Sequence, residues 1–179
     1  MEGKTRPTFF RGVATVVTKL FNIVQPDYVF FGQKDIQQCV VIKNLIQDLH
    51  FPLEMHVGPT AREEDGLAMS SRNRYLTPEM RKVATILYQS LNMVKHAYEQ
   101  NIRDRKNLFA PAYDLIENKS EYIKNQNLGF SVKLDYLSLV DPVSLEELDE
   151  VGENGAILSG ALYVGTTRLI DNILLNCTI

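Results

Sequence analysis

The sequence predicts an α/β protein in two parts: the end of a parallel sheet, followed by a small α+β unit of helices and an antiparallel sheet. Helical segments and short apolar strand-like segments alternate over the first 60 residues, which is the order of a parallel α/β sheet. A polar loop follows, and beyond it two helical segments precede a group of strands. Fewer than the usual four or five strands precede residue 60, so we expect the first part to be the remnant of a larger domain.

The first helix and strand are predicted from apolar spacing and from two breakers. Residues 1–8 are expected to form a loop. Apolar side chains recur at helical spacing over 11–24, and Pro26 ends that helix. The run over 28–31 is wholly apolar and ends at Gly32, which predicts a strand buried on both faces.

A second helix and strand complete the first part. A helix is predicted over 35–49, and Pro52 separates it from a strand over 53–57. The side chains expected to face the core from this helix are Ile36, Val40, Ile42 or Leu45, and Leu49.

The second part begins after a polar loop over 58–77. Thr77 followed by Pro78 has the pattern of a helix N-terminus, with Thr as N-cap and Pro at the first helical position. The elements predicted from there are helices over 78–99 and 107–126, a strand over 130–140, a short helix over 144–149, and strands over 156–164 and 167–175 around a turn at Gly165-Thr166.

Composition excludes several classes of protein. With 45% hydrophobic and 23% charged residues, the 179-residue chain is not a disordered tail, a collagen-like fibre or a coiled coil. The net charge is −3, and neither half has the dense basic surface of a nucleic-acid binder. No apolar run reaches the ~20 residues of a membrane span, and the N-terminus lacks a signal-peptide core. Cys39 and Cys177 do not form a disulfide framework. We therefore expect a cytoplasmic protein without nucleic-acid or membrane partners.

The first candidate site lies where the strand over 28–31 gives way to the next helix. Ligands of open α/β sheets bind at the carboxyl ends of strands. There Gly32 permits close backbone approach, Lys34 supplies a positive charge, and Gln38 offers a hydrogen-bonding amide. The same pattern also fits a plain strand-to-helix turn with exposed Lys34 and Asp35.

The second candidate site is the loop that contains Ser70, Ser71 and Arg72. Adjacent hydroxyls and a guanidinium in a glycine-containing loop suit a phosphate group, although a solvated turn explains the same residues. Two such segments near sheet ends favour an anion site. The stretch over 166–172 is polar at its start and could face the cleft, but it is interpreted as the closing of a hairpin. The three histidines show no metal-ligand spacing and are expected to be structural.

At these segments the sequence resembles the pantoate–β-alanine ligase family, and the resemblance extends along nearly the whole chain. The matching stretches are 10–21, 31–38, 62–76 and 168–172. The resemblance implies an adenylyl-transferring Rossmann-like domain, here residues 1–62, and a lid domain, here residues 63–179, usually in a homo-oligomer. It also implies a two-step reaction that requires Mg²⁺. ATP and pantoate give pantoyl adenylate and pyrophosphate, and the amine of β-alanine then attacks the adenylate.

The resemblance assigns roles to individual residues. It places Gly32, Lys34, Asp35, Ala61, Met69, Ser70, Ser71 and Arg72 at the ATP site and Gln38 at the pantoate site. Of these, Lys34, Ser70 and Arg72 are the types of group that stabilise the charge of the α-phosphate and the departing pyrophosphate, and they are taken as the catalytic set.

The sequence departs from the family pattern in three ways. Gln33 stands where the family usually has Glu, and Gly58 stands where it has Val. The His-x-Gly-His nucleotide motif is absent, and the Mg²⁺ ligands are expected in preceding sequence, so no metal ligand is assigned here. We therefore expect a C-terminal portion that is inactive alone. Two alternatives stay open: a non-catalytic remnant that pairs with or regulates a full-length ligase, and a nucleotidyltransferase that uses another acid.

Overall fold

A computed structural model describes residues 8–179. The predicted loop over 1–8 lies outside this range except for Thr8. The elements are α1 (Phe9–Val24), β1 (Tyr28–Gly32), a first 3₁₀ turn (Gln33–Asp35), α2 (Ile36–Asp48), β2 (Glu54–Gly58), a second 3₁₀ turn (Ser71–Tyr75), α3 (Pro78–Val83), α4 (Ile86–Glu99), α5 (Arg105–Asn125), β3 (Val132–Val140), β4 (Ala156–Val164) and β5 (Thr167–Leu175). The predicted α/β fold with a small lid domain is confirmed. No helix within the described range is both long and apolar enough to cross a membrane.

The first part of the chain contains a two-stranded parallel sheet. β1 and β2 pair in register from Tyr28 opposite Glu54 to Gly32 opposite Gly58. The prediction that β1 is buried on both faces is wrong. Its side chains alternate, and Phe30 is 76% exposed, because no element within residues 8–179 covers one face of this short sheet. On that face the Phe30 ring stacks on His56 at a centroid distance of 5.2 Å.

The other face of this sheet packs against α2. The helix begins at Ile36, one residue later than predicted, because the chain first makes a 3₁₀ turn. Ile36, Val40 and Ile42 are buried, as predicted. Leu49 is not, since the helix ends at Asp48 and leaves this side chain 52% exposed.

The second part is an antiparallel sheet in the order β3-β4-β5, covered on one face by α4 and α5. The central strand β4 is almost entirely buried. The hairpin between β4 and β5 turns at Gly165-Thr166 as predicted, and Gly165 has a φ of +58° that favours glycine. The main core lies between the sheet and the two helices.

Two predicted helices differ in the structure. The helix predicted over 78–99 is divided into α3 and α4, because the backbone tightens at Ala84. The N–H of Ala84 is shared between the carbonyls of Met80 and Arg81, a pattern typical of a local 3₁₀ step.

The short helix predicted over 144–149 is absent. The backbone turns at Leu145, whose φ of +60° lies outside the helical region, and the N–H of Asp141 donates to the carbonyl of Glu146 at 2.9 Å. The N–H of Leu148 then donates to the carbonyl of Leu139, which returns the chain to the edge of β3.

A second apolar cluster joins the two parts. Ile36, Cys39 and Val40 of α2 pack with Val140 and Ile157 from the antiparallel sheet. This contact places the carboxyl end of β1 beside β5, which is one of the two edge strands of the three-stranded sheet.

Candidate functional site

The first segment of the site is the turn between β1 and α2. After Gly32 the chain makes the 3₁₀ turn Gln33–Asp35, in which Lys34 is half-buried, and then enters α2 at Ile36. The Cys39 thiol, one turn into the helix, donates to the Gly32 carbonyl across 3.4 Å. Burial raises the pKa of Cys39 to about 11, so this thiol remains protonated at neutral pH.

The second segment is a loop over residues 61–76 that folds back on itself. The N–H of Met69 donates to the carbonyl of Ala61 at 2.9 Å, which closes the base of a small hairpin. Gly66 lies near its tip with a φ of +90°, a backbone conformation that residues other than glycine rarely adopt.

The end of this loop presents Ser70 and Arg72. The Ser70 hydroxyl caps the second 3₁₀ turn by accepting the N–H of Arg72 at 3.3 Å. A hydroxyl that accepts one bond keeps its own hydrogen as a donor. The Asn73 side chain donates to the carbonyl of Ala68 at 3.1 Å, which ties the turn to the rest of the loop.

An ion pair ties the same loop to α3. The Arg81 guanidinium makes two contacts with the Asp65 carboxylate, one of them at 3.0 Å from Nη2 to Oδ1. These hydrogen bonds and the neighbouring positive charge hold the pKa of Asp65 below its ordinary value.

The two segments line one cavity of about 400 Å³. Seven of the nine residues proposed from the sequence lie in its wall: Lys34, Asp35, Gln38, Met69, Ser70, Ser71 and Arg72. Gly32 and Ala61 lie where these two segments begin, but they do not form part of the wall. Lys34, Ser70 and Arg72 also line a smaller adjoining cavity of about 20 Å³. The residues predicted to meet phosphate are therefore close together in space although far apart in sequence.

A third set of lining residues comes from β5, and none of them was among the nine residues proposed from the sequence. Arg168, Ile170, Asp171 and Asn172 all line the cavity. The interpretation of 166–172 as a simple hairpin closing holds for the turn but is wrong for the strand that follows it. The sequence feature that could have revealed this lining strand is a charged residue followed by an amide, Asp171 and Asn172, in a strand otherwise rich in apolar residues.

The charges around the cavity favour an anionic ligand. Its wall contains the cationic groups of Lys34, Arg72 and Arg168 and the carboxylates of Asp35 and Asp171. Asp171 is paired with Arg62, which lies outside the wall, with oxygen–nitrogen distances of 2.6 and 2.9 Å. The Arg168 guanidinium contacts the Asp135 carboxylate at 2.7 and 2.9 Å.

Residues 8–179 contain no group of three or more His, Cys, Asp or Glu side chains placed to hold a metal ion. Of the two carboxylates in the cavity wall, Asp171 is already occupied by a guanidinium.

The chain matches the family model for pantoate-beta-alanine ligase over residues 1–174. It is 46% identical over 175 residues to a pantothenate synthetase of Herpetosiphon aurantiacus, and the match covers 98% of this chain and 60% of that relative. A pantothenate synthetase of Pelotomaculum thermopropionicum is 49% identical over 174 residues, which are 97% of this chain and 57% of the relative. This chain thus spans about three-fifths of the length of the relatives it matches.

Solved structures agree with the sequence comparison. A crystal structure of the pantothenate synthetase from Thermus thermophilus superposes with a TM-score of 0.84 at 39% identity, covering 97% of this chain and 58% of that one. The Francisella tularensis pantoate-beta-alanine ligase, solved in complex with beta-gamma ATP and beta-alanine, has a TM-score of 0.57 at 32% identity, and the match covers 97% of this chain and 53% of that one. On sequence, fold and the clustering of the two motif-bearing segments, this chain belongs to the pantoate–β-alanine ligase family.

Proposed function

We propose that this chain supplies part of an enzyme that joins pantoate and β-alanine to form pantothenate through a pantoyl-adenylate intermediate, with ATP as the source of the adenylyl group. The observation that carries the proposal is the shared cavity, where Lys34, Ser70 and Arg72 converge from two distant segments. A family member that was solved with an ATP-type ligand and β-alanine supports the choice of substrates.

The adenylation step is expected to depend on Lys34, Ser70 and Arg72. Attack of the pantoate carboxylate on the α-phosphorus forms a carboxyl–phosphate bond and expels pyrophosphate. Negative charge therefore grows on the phosphate oxygens, where an ammonium, a guanidinium and a hydroxyl donor stabilise it. The geometry agrees with this role, because these three side chains line both the large cavity and its small extension.

The remaining assignments follow the same proposal. Gln38 lies one helical turn beyond Lys34 and lines the cavity, where its neutral amide is suited to the hydroxyl and carboxylate groups of pantoate. Asp35, Met69 and Ser71 complete the nucleotide-binding wall, while Gly32 and Ala61 would contribute through their backbone. In the second step, the β-alanine amine attacks the acyl carbon of the adenylate and AMP leaves.

The domain assignment and the surroundings of the chain are also proposals. Residues 1–62 correspond to the end of the Rossmann-like domain and residues 63–179 to the lid. We expect the Mg²⁺ ligands in the part of the family sequence that this chain does not match. A cytoplasmic homo-oligomer is the expected context for the complete enzyme.

An uncovered apolar face indicates that this chain works together with further polypeptide. Only Phe21 is buried among the described residues of α1. The large apolar side chains exposed on α1 and β1 are Val16, Leu20, Ile23, Val24, Tyr28 and Phe30. Both strands of the parallel sheet are also edge strands, with backbone groups available for pairing. The unmatched two-fifths of the family length is the occupant we propose for this face.

The test is reconstitution. The 179-residue chain is assayed alone and together with the segment of the Herpetosiphon aurantiacus relative that it does not match, by pantoate-dependent exchange of pyrophosphate into ATP and by pantothenate formation. We expect activity only in the presence of both polypeptides. Lys34→Ala and Arg72→Ala should each lower the exchange rate by about a hundredfold, the scale for losing one donor to a developing anion.

Lys124→Ala removes a matched cation near the end of α5, outside the cavity wall, and should leave the exchange rate unchanged. Pyrophosphate exchange at the wild-type rate in the Lys34 and Arg72 variants would contradict the assigned roles. If the reconstituted pair makes no adenylate but the chain binds and modulates a full-length ligase, the regulatory alternative is supported instead.

A further inference from the structure

Two neighbouring polar residues on β5 are almost completely buried. Asp171 is 4% exposed and Asn172 is 1% exposed, on the edge strand of the antiparallel sheet. Successive side chains of a strand point to opposite faces, so the two residues reach different surroundings. Buried polar groups are retained at low cost only when their hydrogen bonds are satisfied. Their partners therefore indicate what they do.

Asn172 is bonded to the turn that carries Lys34. Its Nδ2 donates to the carbonyl of Gln33 at 2.9 Å and to the carbonyl of Lys34 at 3.1 Å. Its Oδ1 accepts the side-chain N–H of Gln33 at 3.1 Å. Three hydrogen bonds from one amide thus hold the 3₁₀ turn against the sheet.

Asp171 is bonded to the loop that carries Ser70 and Arg72. Its two carboxylate oxygens accept the fork of the Arg62 guanidinium, and Oδ1 also accepts the N–H of Asn172 at 2.8 Å. Arg62 in turn donates to the carbonyl of Gly66 at 3.0 Å. The carboxylate therefore anchors the base of the loop to the same strand that anchors the turn.

We propose that Asp171 and Asn172 are positioning residues that set the two phosphate-binding segments at a fixed separation, Asn172 through the turn with Lys34 and Asp171 through the loop with Ser70 and Arg72. This inference rests on the proposed function for its chemical consequence. Phosphoryl-type reactions depend on placement, and a displacement of about 1 Å in a catalytic group can cost about a hundredfold in rate. Because Asp171 and Asn172 are neighbours on β5, both segments are held in position relative to the same strand.

The first test measures hydrogen exchange in the 179-residue chain, with near-isosteric variants. Asn172→Asp removes the amide donor, and we expect amide exchange to become about tenfold faster in peptides covering 33–38 while those covering 63–75 are unchanged. Asp171→Asn weakens the Arg62 fork, and we expect the reverse pattern. Asn44→Ala is the matched control, because it removes an exposed amide that donates to the Val143 carbonyl at 3.1 Å, and it should change neither set of peptides.

This reciprocal pattern separates positioning from general stability. Faster exchange throughout the β3-β4-β5 sheet in both variants, or no change in either segment, would overturn the inference. If Asp171→Asn does not fold, Arg62→Lys replaces it, since lysine keeps the charge but cannot make the two-pronged contact.

The second test measures pyrophosphate exchange in the reconstituted pair. We expect each β5 variant to lower the rate at least tenfold at saturating pantoate, with Asn44→Ala at the wild-type rate. Wild-type rates in the β5 variants would overturn the inference while leaving the proposed function intact. If the wild-type pair itself shows no exchange, the proposed function fails, and the hydrogen-exchange pattern alone decides whether Asp171 and Asn172 set the two segments.

Discussion

A single added methyl group at Gly66 is expected to destabilise the protein strongly. The φ of +90° at this position costs an L-residue about 1–2 kcal/mol. A Cβ there would also overlap the Cδ1 and Cε1 atoms of the Tyr88 ring, and overpacking of this kind costs about 1–3 kcal/mol. Gly66→Ala should therefore lower the free energy of unfolding by about 3 kcal/mol. For a chain of this length that corresponds to a fall in Tm of about 6–12 °C, measured by circular dichroism.

The position of Tyr88 links this stability effect to the site. The Arg62 guanidinium lies over the Tyr88 ring at 4.1 Å from its centroid while it pairs with Asp171. A ring displaced by the new methyl group disturbs this stacking, so exchange of amides over 63–75 should also accelerate in Gly66→Ala.

Gly129 provides the matched control for the Gly66 prediction. Its φ is +77°, yet a Cβ built there meets no heavy atom within 4 Å. Gly129→Ala therefore carries the backbone cost alone and should be destabilised by only about 1–2 kcal/mol. Combining Gly66→Ala with Tyr88→Ala should cost less than the sum of the two single changes, because the overlap is relieved. Equal melting temperatures for Gly66→Ala and Gly129→Ala would refute the reasoning.

The other predictions concern substrate selectivity, association, pH and thiol reactivity. In the reconstituted enzyme, Gln38→Ala should raise the KM for pantoate more than the KM for ATP. A neutral amide forms hydrogen bonds with hydroxyl groups but adds little to the binding of a charged phosphate. Equal increases in the two KM values in steady-state kinetics would contradict this. The isolated chain should self-associate through its open apolar face, and Phe30→Lys should shift light-scattering masses toward the monomer; an unchanged mass would count against that face. Because the pKa of Asp65 is lowered by Arg81, the stability from this pair is present above the ordinary Asp pKa and is lost as pH falls through the lowered value. The difference in unfolding free energy between wild type and Asp65→Asn should therefore shrink on acidification below about pH 4, and a constant difference from pH 7 to pH 3 would refute it. Cys39, with its raised pKa and no exposed surface, should react with a disulfide reagent at pH 8 only as fast as the chain opens; rapid labelling under native conditions would show otherwise.

Local patterns were sufficient for most elements of the fold. The apolar spacing of α1, the Thr77-Pro78 start of α3 and the glycine turn between β4 and β5 are all properties of short stretches of chain, and each is confirmed. The absent helix over 144–149 shows the limit of such patterns. There Leu145 has a φ of +60°, and the residues after it bond to the edge of β3, which lies outside the local pattern that predicted the helix.

The candidate site divides in the same way. Lys34, Gln38, Ser70 and Arg72 stood out as residue types suited to an anionic substrate, and the family resemblance assigned them to ATP and pantoate. Tertiary packing brings these residues into one cavity, because α2 packs against the antiparallel sheet through a shared apolar cluster.

Residue types and short spacings were enough to predict the α/β class, most of its elements and the groups that suit phosphate, because propensity, breakers and charge act over a few residues. The ligase family was indicated by the resemblance of whole motifs to known sequences. Folding was needed to show that β1 leaves one face uncovered, that the wall of the cavity includes β5, and that Asp171 and Asn172 join β5 to the loop over 61–76 and to the turn over 33–35. These contacts link positions more than 100 residues apart, such as Arg62 with Asp171 and Lys34 with Asn172. They exist because the sheet and α2 bury apolar surface against each other, and no local sequence pattern carries that information.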